Sequence, residues 1–188
     1  MNEVYRAALE LQNVCEAERW QYCFIGGLAL LRWGEPRETI DADLTLLTGF
    51  GNELPYVQAL LRHFTGRISD AESFALESRV LLLRTQSGIG LDVSLGALPY
   101  EADLISRSSF FEYSPEMNLR TCSAEDLIVL KSFAARGQDW VDVERIIVRQ
   151  TGKLDWGYVY RQLGTLLELK GEPELLSQLK ERRAKFER

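Results

Sequence analysis

FIGGLALLRWGEPRETIDADLTLL, residues 24–47, holds the pattern that decides the fold. An apolar run ends at Gly26-Gly27, Leu28 to Trp33 reads as a short helix broken near Gly34 and Pro36, and Asp41 to Leu47 reads as a strand. Strand alternation sets Asp41 and Asp43 on one face and Ala42 and Leu44 on the other. Two carboxylates that close repel unless a cation lies between them. Carboxylate oxygens are the ligands Mg²⁺ takes, alongside water and substrate phosphates. The glycine pair stands where strand passes into helix, where backbone amides can cradle a phosphate and absent side chains let a ligand approach. Alone, Asp-x-Asp is most often a turn or solvent-facing pair, and Gly-Gly after a strand is often plain turn chemistry. Their conjunction, with a third aspartate in a similar strand, is what points to metal and phosphate.

Working outward, Gln21 to Ile25 reads as a buried strand, and Val4, Ala8, Leu11 and Cys15 recur at helical spacing before it. Val57, Leu60, Leu61 and Phe64 mark another helix. Arg79 to Arg84 and Leu91 to Leu95 read as strands joined by a turn at Gly88-Ile89-Gly90. In the second of these, Asp92 and Ser94 oppose Leu91, Val93 and Leu95, so Asp92 is the third candidate carboxylate. The pattern changes near Tyr113-Ser114-Pro115. Ser123 begins a capping-box-like start to a helix reaching about Arg136. Further helices are expected from about Asp139 to Arg149, Trp156 to Lys170, and Pro173 onward. Strands early and helices late predict an α+β N-terminal domain, residues 1–115, followed by a C-terminal helical bundle, residues 116–188.

Composition excludes several functions. A formal charge of −6 and a pI near 5.0 do not suit a general nucleic-acid coater. An RNA substrate would need a local basic patch, for which Lys180 to Arg188 is the candidate, although such a run is more often a solvated helix end. No apolar run is long enough to span a membrane, and the charged N-terminus lacks a signal-peptide pattern. The three cysteines form no metal-type or redox-type pair, which suits a reducing cytoplasm. With His63 the only histidine, zinc chemistry and a Ser–His–Asp triad are disfavoured. No Gly-Lys-Ser/Thr follows the glycines, so they form no P-loop, and the dinucleotide fingerprint is also absent.

Phe24-Ile25-Gly26-Gly27 and Arg37-Glu38-Thr39-Ile40-Asp41-Ala42-Asp43 together resemble motif I of the polymerase-β-like nucleotidyltransferases, most closely the AbiEii/AbiGii-type toxin group. Leu91-Asp92-Val93-Ser94-Leu95-Gly96 resembles the strand bearing that superfamily's third carboxylate. The helical run from Glu125 through Lys131 to Arg136, Asp139 and Asp142 resembles the group's Lys…Arg…Asp…Asp segment. The similarity spans roughly residues 25–147.

The resemblance implies a polymerase-β-like nucleotidyltransferase domain that transfers a nucleoside monophosphate from an NTP, such as ATP, to a hydroxyl. Asp41, Asp43 and Asp92 would hold Mg²⁺ or Mn²⁺, with Asp92 also helping to activate the acceptor. Gly26 and Gly27 would present backbone to the triphosphate, while Arg37 and Thr39 would contact phosphate or orient the loop. Lys131 leaves a largely apolar stripe, and spacing alone favours snorkelling to solvent. The resemblance makes it a catalytic candidate that neutralises phosphate charge. Asp139 and Asp142 read equally as first-turn helix acids or as functional groups. Toxin-group similarity points to tRNA or another macromolecule as acceptor, with a partner antitoxin. The acidic balance points instead to a protein or small-molecule acceptor. A non-catalytic nucleotide- or partner-binding module on the same fold is the alternative.

Overall fold

The computed structural model describes residues 3–187 and divides into two compact units. The first comprises residues up to Leu28 together with Glu38–Cys122. It contains helix α1 (Glu3–Ala17), strand β1 (Tyr22–Phe24), the start of α2 (Gly26–Trp33), β2 (Asp41–Leu47), α3 (Glu53–His63) and β3 (Thr65–Gly66). There follow α4 (Ala71–Ser78), β4 (Val80–Arg84), β5 (Gly90–Gly96), α5 (Pro99–Ser106), β6 (Ser109–Ser114) and β7 (Met117–Thr121). The strands form one mixed sheet in the order β3-β4-β5-β2-β1-β7-β6. β1 runs antiparallel to β2, whereas β2 and β5 are parallel along their whole length.

The hydrophobic pattern explains this unit. Val4, Ala8, Leu11 and Cys15 are buried along the stripe of α1, which packs on β2 and β7. Leu44, Leu46, Leu91, Val93 and Leu95 are buried on the strands. β4 and β5 pair antiparallel across the glycine turn, where Gly88 takes φ +89°, a left-handed conformation open to glycine at little cost. Cys15, Cys23 and Cys122 are all buried, and none of them forms a disulfide.

Several elements lie outside the sequence expectation. Near Tyr113-Ser114-Pro115 the chain forms a β6–β7 hairpin, with Tyr113 and Ser114 ending β6 and Pro115 and Glu116 making the turn. β6 is a sheet-edge strand with mostly exposed residues, so its sequence carries little in/out alternation. α4, α5 and the two-residue β3 are too short for helical or strand periodicity to register. α5 starts from Pro99, and the Glu101 carboxylate accepts hydrogen bonds from the backbone of Ala97 (2.6 Å) and Leu98 (2.8 Å).

The second unit comprises Ala29–Arg37 and the chain from Ser123 onward. Its helices are α6 (Ala124–Ala134), α7 (Gly137–Arg149), α8 (Trp156–Lys170) and α9 (Glu174–Phe186), and α6 packs on α7, α8 and α9. Ser123 caps α6 as its spacing predicts, accepting from the Asp126 amide at 3.1 Å. The Asp126 carboxylate, fully buried, also accepts from Tyr158 Oη at 2.7 Å, tying α6 to α8. No helix among the described residues is long and apolar enough to cross a membrane.

Candidate active site

β2 alternates as its sequence demands. Ala42 and Leu44 are fully buried, and Asp41 and Asp43 lie half-exposed on the opposite face. In the parallel ladder Asp43 stands opposite Asp92, and Asp41 stands opposite Gly90. Directly opposed residues on adjacent strands project from the same face about 4.8 Å apart. The two strands thus present three carboxylates as one acidic face.

The glycine pair borders this face. Ile25 donates its amide to Asp43 O at 3.0 Å, which extends the β1–β2 pairing to the edge of α2. Gly26 then turns the chain with φ +57°, and a Cβ there would collide with the Asp43 carboxylate. A Cβ on Gly27 would likewise meet the Thr39 hydroxyl. Thr39 Oγ1 donates to Asp41 O at 3.1 Å, so this side chain orients the loop that delivers the aspartate pair. Gly26, Gly27, Thr39, Asp41, Asp43 and Asp92 therefore come together within the first unit.

Sequence reading missed one member of this face. Arg67 forms an ion pair with Asp92, each side chain about one-third exposed. Burial pushes the Asp92 carboxyl above its ordinary value, the Arg67 guanidinium pulls it back, and Asp41 pushes it up again; the outcome is a raised pKa. No motif surrounds Arg67, and only the tertiary fold brings it to Asp92.

Divalent metal suits this donor set chemically. Three oxygen-donor carboxylates, a glycine-lined border and a guanidinium already drawn to one of them describe a site that favours cations. As the side chains lie, no group of three or more His, Cys, Asp or Glu among the described residues is arranged to hold one ion. Asp92 is turned to Arg67 instead.

In the second unit, Lys131, Asp139 and Asp142 form a buried cluster. Lys131 Nζ donates to Asp142 Oδ2 at 2.6 Å and to Asp139 Oδ1 at 3.2 Å. The Arg37 Nε lies 3.3 Å from both Asp142 oxygens, Gln138 Nε2 donates to Asp142 at 3.0 Å, and Arg136 Nε donates to Asp139 at 2.6 Å. Burial raises both carboxyls, but for Asp139 the hydrogen bonds and charges of Arg136 and Lys131 outweigh it. For Asp142 those of Lys131, Gln138 and Arg37 do so, and both pKa values end below the usual range. Asp139 occupies the first turn of α7 and Asp142 the next, and neither caps the helix. Lys131 is held among carboxylates rather than snorkelling to solvent.

Residues 9–185 match the family described as nucleotidyl transferase AbiEii toxin, type IV toxin–antitoxin system. No curated protein sequence matches the chain. Similar solved structures include an antigenic nucleotidyltransferase-like protein from Paracoccidioides brasiliensis, 19% identical with TM-score 0.52, covering 95% of this chain and 92% of that one. The lincosamide antibiotic adenylyltransferase LnuA with lincomycin bound is 14% identical with TM-score 0.53, covering 78% of this chain and 96% of its own. ANT(2″)-Ia in complex with adenylyl-2″-tobramycin is 18% identical with TM-score 0.50, covering 95% and 97%. At these identities the likeness shows a shared fold.

Proposed function

This chain belongs to the AbiEii nucleotidyl transferase toxin family and is a nucleotidyltransferase; from that premise we propose that it transfers a nucleoside monophosphate from an NTP to a hydroxyl acceptor in a Mg²⁺- or Mn²⁺-dependent reaction. The observation that carries this reading is the single acidic face of β2 and β5, bordered by Gly26 and Gly27. Asp41, Asp43 and Asp92 would hold the divalent metal, and Asp92 would also take the acceptor's proton. The backbone amides at the start of α2 bind phosphate oxygens, which a side chain on either glycine would obstruct. A bound divalent ion supplies charge neutralisation at the α-phosphoryl group and at the departing pyrophosphate.

The exchange balances. The acceptor oxygen forms a bond to the α-phosphorus, the bond from that phosphorus to the bridging oxygen breaks, and pyrophosphate leaves with the electron pair. The proton released from the acceptor passes to the Asp92 carboxylate. Lys131 and Arg37 are engaged by Asp139 and Asp142 within the helical unit, so neither of them is assigned to the phosphates. The acceptor is tRNA, another RNA, a protein or a small molecule in the cytoplasm, and a cognate antitoxin offsets the effect of transfer.

The test uses NTPs labelled at the α-phosphate, one base at a time, with Mg²⁺ or Mn²⁺, total tRNA and cell extract. Label should appear on one acceptor class with the wild type and remain at background with a folded Asp41→Ala/Asp43→Ala variant. The Asp92→Asn variant should slow transfer by about 10² to 10⁴. Metal-dependent NTP binding without label transfer would identify a nucleotide-sensing module instead. Neither binding nor label would overturn the reading.

A further inference from the structure

Arg67 is absent from every motif in the sequence, yet the sheet delivers it to the acidic face. The short strand β3 pairs with Leu83 and Arg84 of β4, and the next residue, Arg67, donates its amide to Leu82 O at 2.9 Å. Leu82 stands opposite Asp92 in the β4–β5 ladder, and Asp92 stands opposite Asp43 in the β5–β2 ladder. One row across the sheet therefore leads from the backbone of Arg67 through Leu82 to Asp92 and Asp43. Two strand spacings, roughly 10 Å, separate the ends of the first part of that row, a span that an arginine and an aspartate side chain cover between them.

Gly90 makes room for the guanidinium. It lies two residues before Asp92, on the same face, opposite Asp41. A Cβ placed there would lie 2.9 Å from Arg67 Nη1 and 3.5 Å from Asp41 Cβ. The guanidinium thus sits over the bare backbone between Asp92 and the position of Asp41, where the proposed site needs positive charge. An exposed pair of this kind contributes little to folding stability. Its consequence is at the site. Guanidinium stays protonated throughout the working pH range, so it is a fixed charge that only another cation can replace.

We propose that Arg67 is the resident counter-cation of the acidic face: its guanidinium and the divalent ion compete for the Asp92 carboxylate, and the ion's arrival frees the guanidinium to bind the triphosphate. This inference rests on the acidic face being the metal site. Arg67 is tethered through its backbone to Leu82, so once displaced it remains beside the phosphates that accompany the ion. Arginine matches phosphate oxygens with paired N–H donors.

Two titrations on the full-length chain decide this, and they carry opposite signs. In the first, Mn²⁺ binding without nucleotide is followed by the EPR signal of the free ion. Arg67→Ala should bind Mn²⁺ about two- to fivefold more tightly than wild type, Arg67→Lys should fall closer to wild type, and Asp92→Asn should bind more weakly. In the second, a non-hydrolysable NTP analogue is added at saturating Mn²⁺. Here Arg67→Ala should bind the analogue about tenfold more weakly. A merely structural ion pair would not produce this reversal. Gly90→Ala, which keeps the charge but crowds the guanidinium off its place, should tighten Mn²⁺ in the same direction and serves if Arg67→Ala melts early. Unchanged or weaker Mn²⁺ binding in Arg67→Ala, with Asp92→Asn weakened as expected, overturns the role of Arg67 alone. Mn²⁺ binding that ignores Asp92→Asn overturns the acidic-face site and this inference together.

Discussion

Asp142 has no exposed surface, and its carboxylate is held by Lys131, Gln138 and Arg37. A charge so enclosed stands only because its partners are in place. Removing one member leaves the others desolvated and uncompensated, so Asp142→Asn should cost about 3 kcal/mol at neutral pH, read by denaturant titration. The same bonds fix the direction of a pH effect. Asp139 and Asp142 have folded pKa values below those of an unfolded chain, near 3.9. Their stabilisation is therefore complete above that value and disappears as pH falls through the folded values. Melting temperature should hold between pH 5 and 6 and fall steeply below about pH 4. That acid limb should flatten in an Asp139→Asn/Asp142→Asn variant; an equally steep limb would place the acid-labile group elsewhere. Spacing alone could put Lys131 on a helix stripe but could not show what it meets. The meeting depends on the sharp α6–α7 connection, where Ala135 takes φ +54°, bringing Asp139 and Asp142 of α7 to the lysine. No local periodicity encodes that turn.

At the level of elements, the junction of β1 and α2 carries the most specific demand. Gly26 needs a left-handed φ and also the space filled by the Asp43 side chain. An alanine there costs about 1–2 kcal/mol in backbone strain and must also push Asp43 from its place. Gly26→Ala should therefore lose metal-dependent NTP binding in a thermal-shift titration and lower the melting temperature by several degrees. Retained NTP binding would remove Gly26 from the phosphate border. This junction was legible because two conflicting constraints, strand alternation and glycine freedom, act within a single short stretch. So were β2, β5 and the long helices, whose apolar residues repeat at the period of the element, and β4, whose unbroken apolar run marks a central strand. The β6–β7 hairpin was not legible. The residues of β6 face solvent almost throughout, so burial leaves no mark on its sequence, and Ser114-Pro115 reads as a terminus although the chain only turns there. Arg67 was hidden for the related reason that its position follows from a two-residue strand.

Charge is a property of the whole molecule, and it bears on the acceptor. The chain carries a formal charge of −6, so an RNA acceptor would have to be held by a local cationic stripe. The run Lys180 to Arg188 is the candidate; Arg188 lies outside the described residues, and within the helical unit Lys180, Arg182 and Arg183 are engaged. Lys180 lies over the Tyr160 ring, and Arg182 lies 4.1 Å from the Trp140 ring and 3.3 Å from Glu144. Arg183 pairs with Glu187 at 2.7 Å and covers Trp156. These stems pack against aromatic faces, as long cationic side chains do when they cover apolar surface. A polyanion recruiting them would first have to break those contacts. The acceptor is accordingly expected to bind through few phosphate contacts or none, which favours a protein or small-molecule hydroxyl over an extended RNA. Each phosphate neutralised on a single strand steepens the salt dependence by about 0.7 in log–log slope. Once labelling has identified the acceptor, its KM should rise by no more than about threefold between 50 and 200 mM salt, which is what one such contact allows. A rise of a hundredfold or more would require several phosphate contacts and would make the basic end of α9 an RNA-binding surface despite its internal pairing.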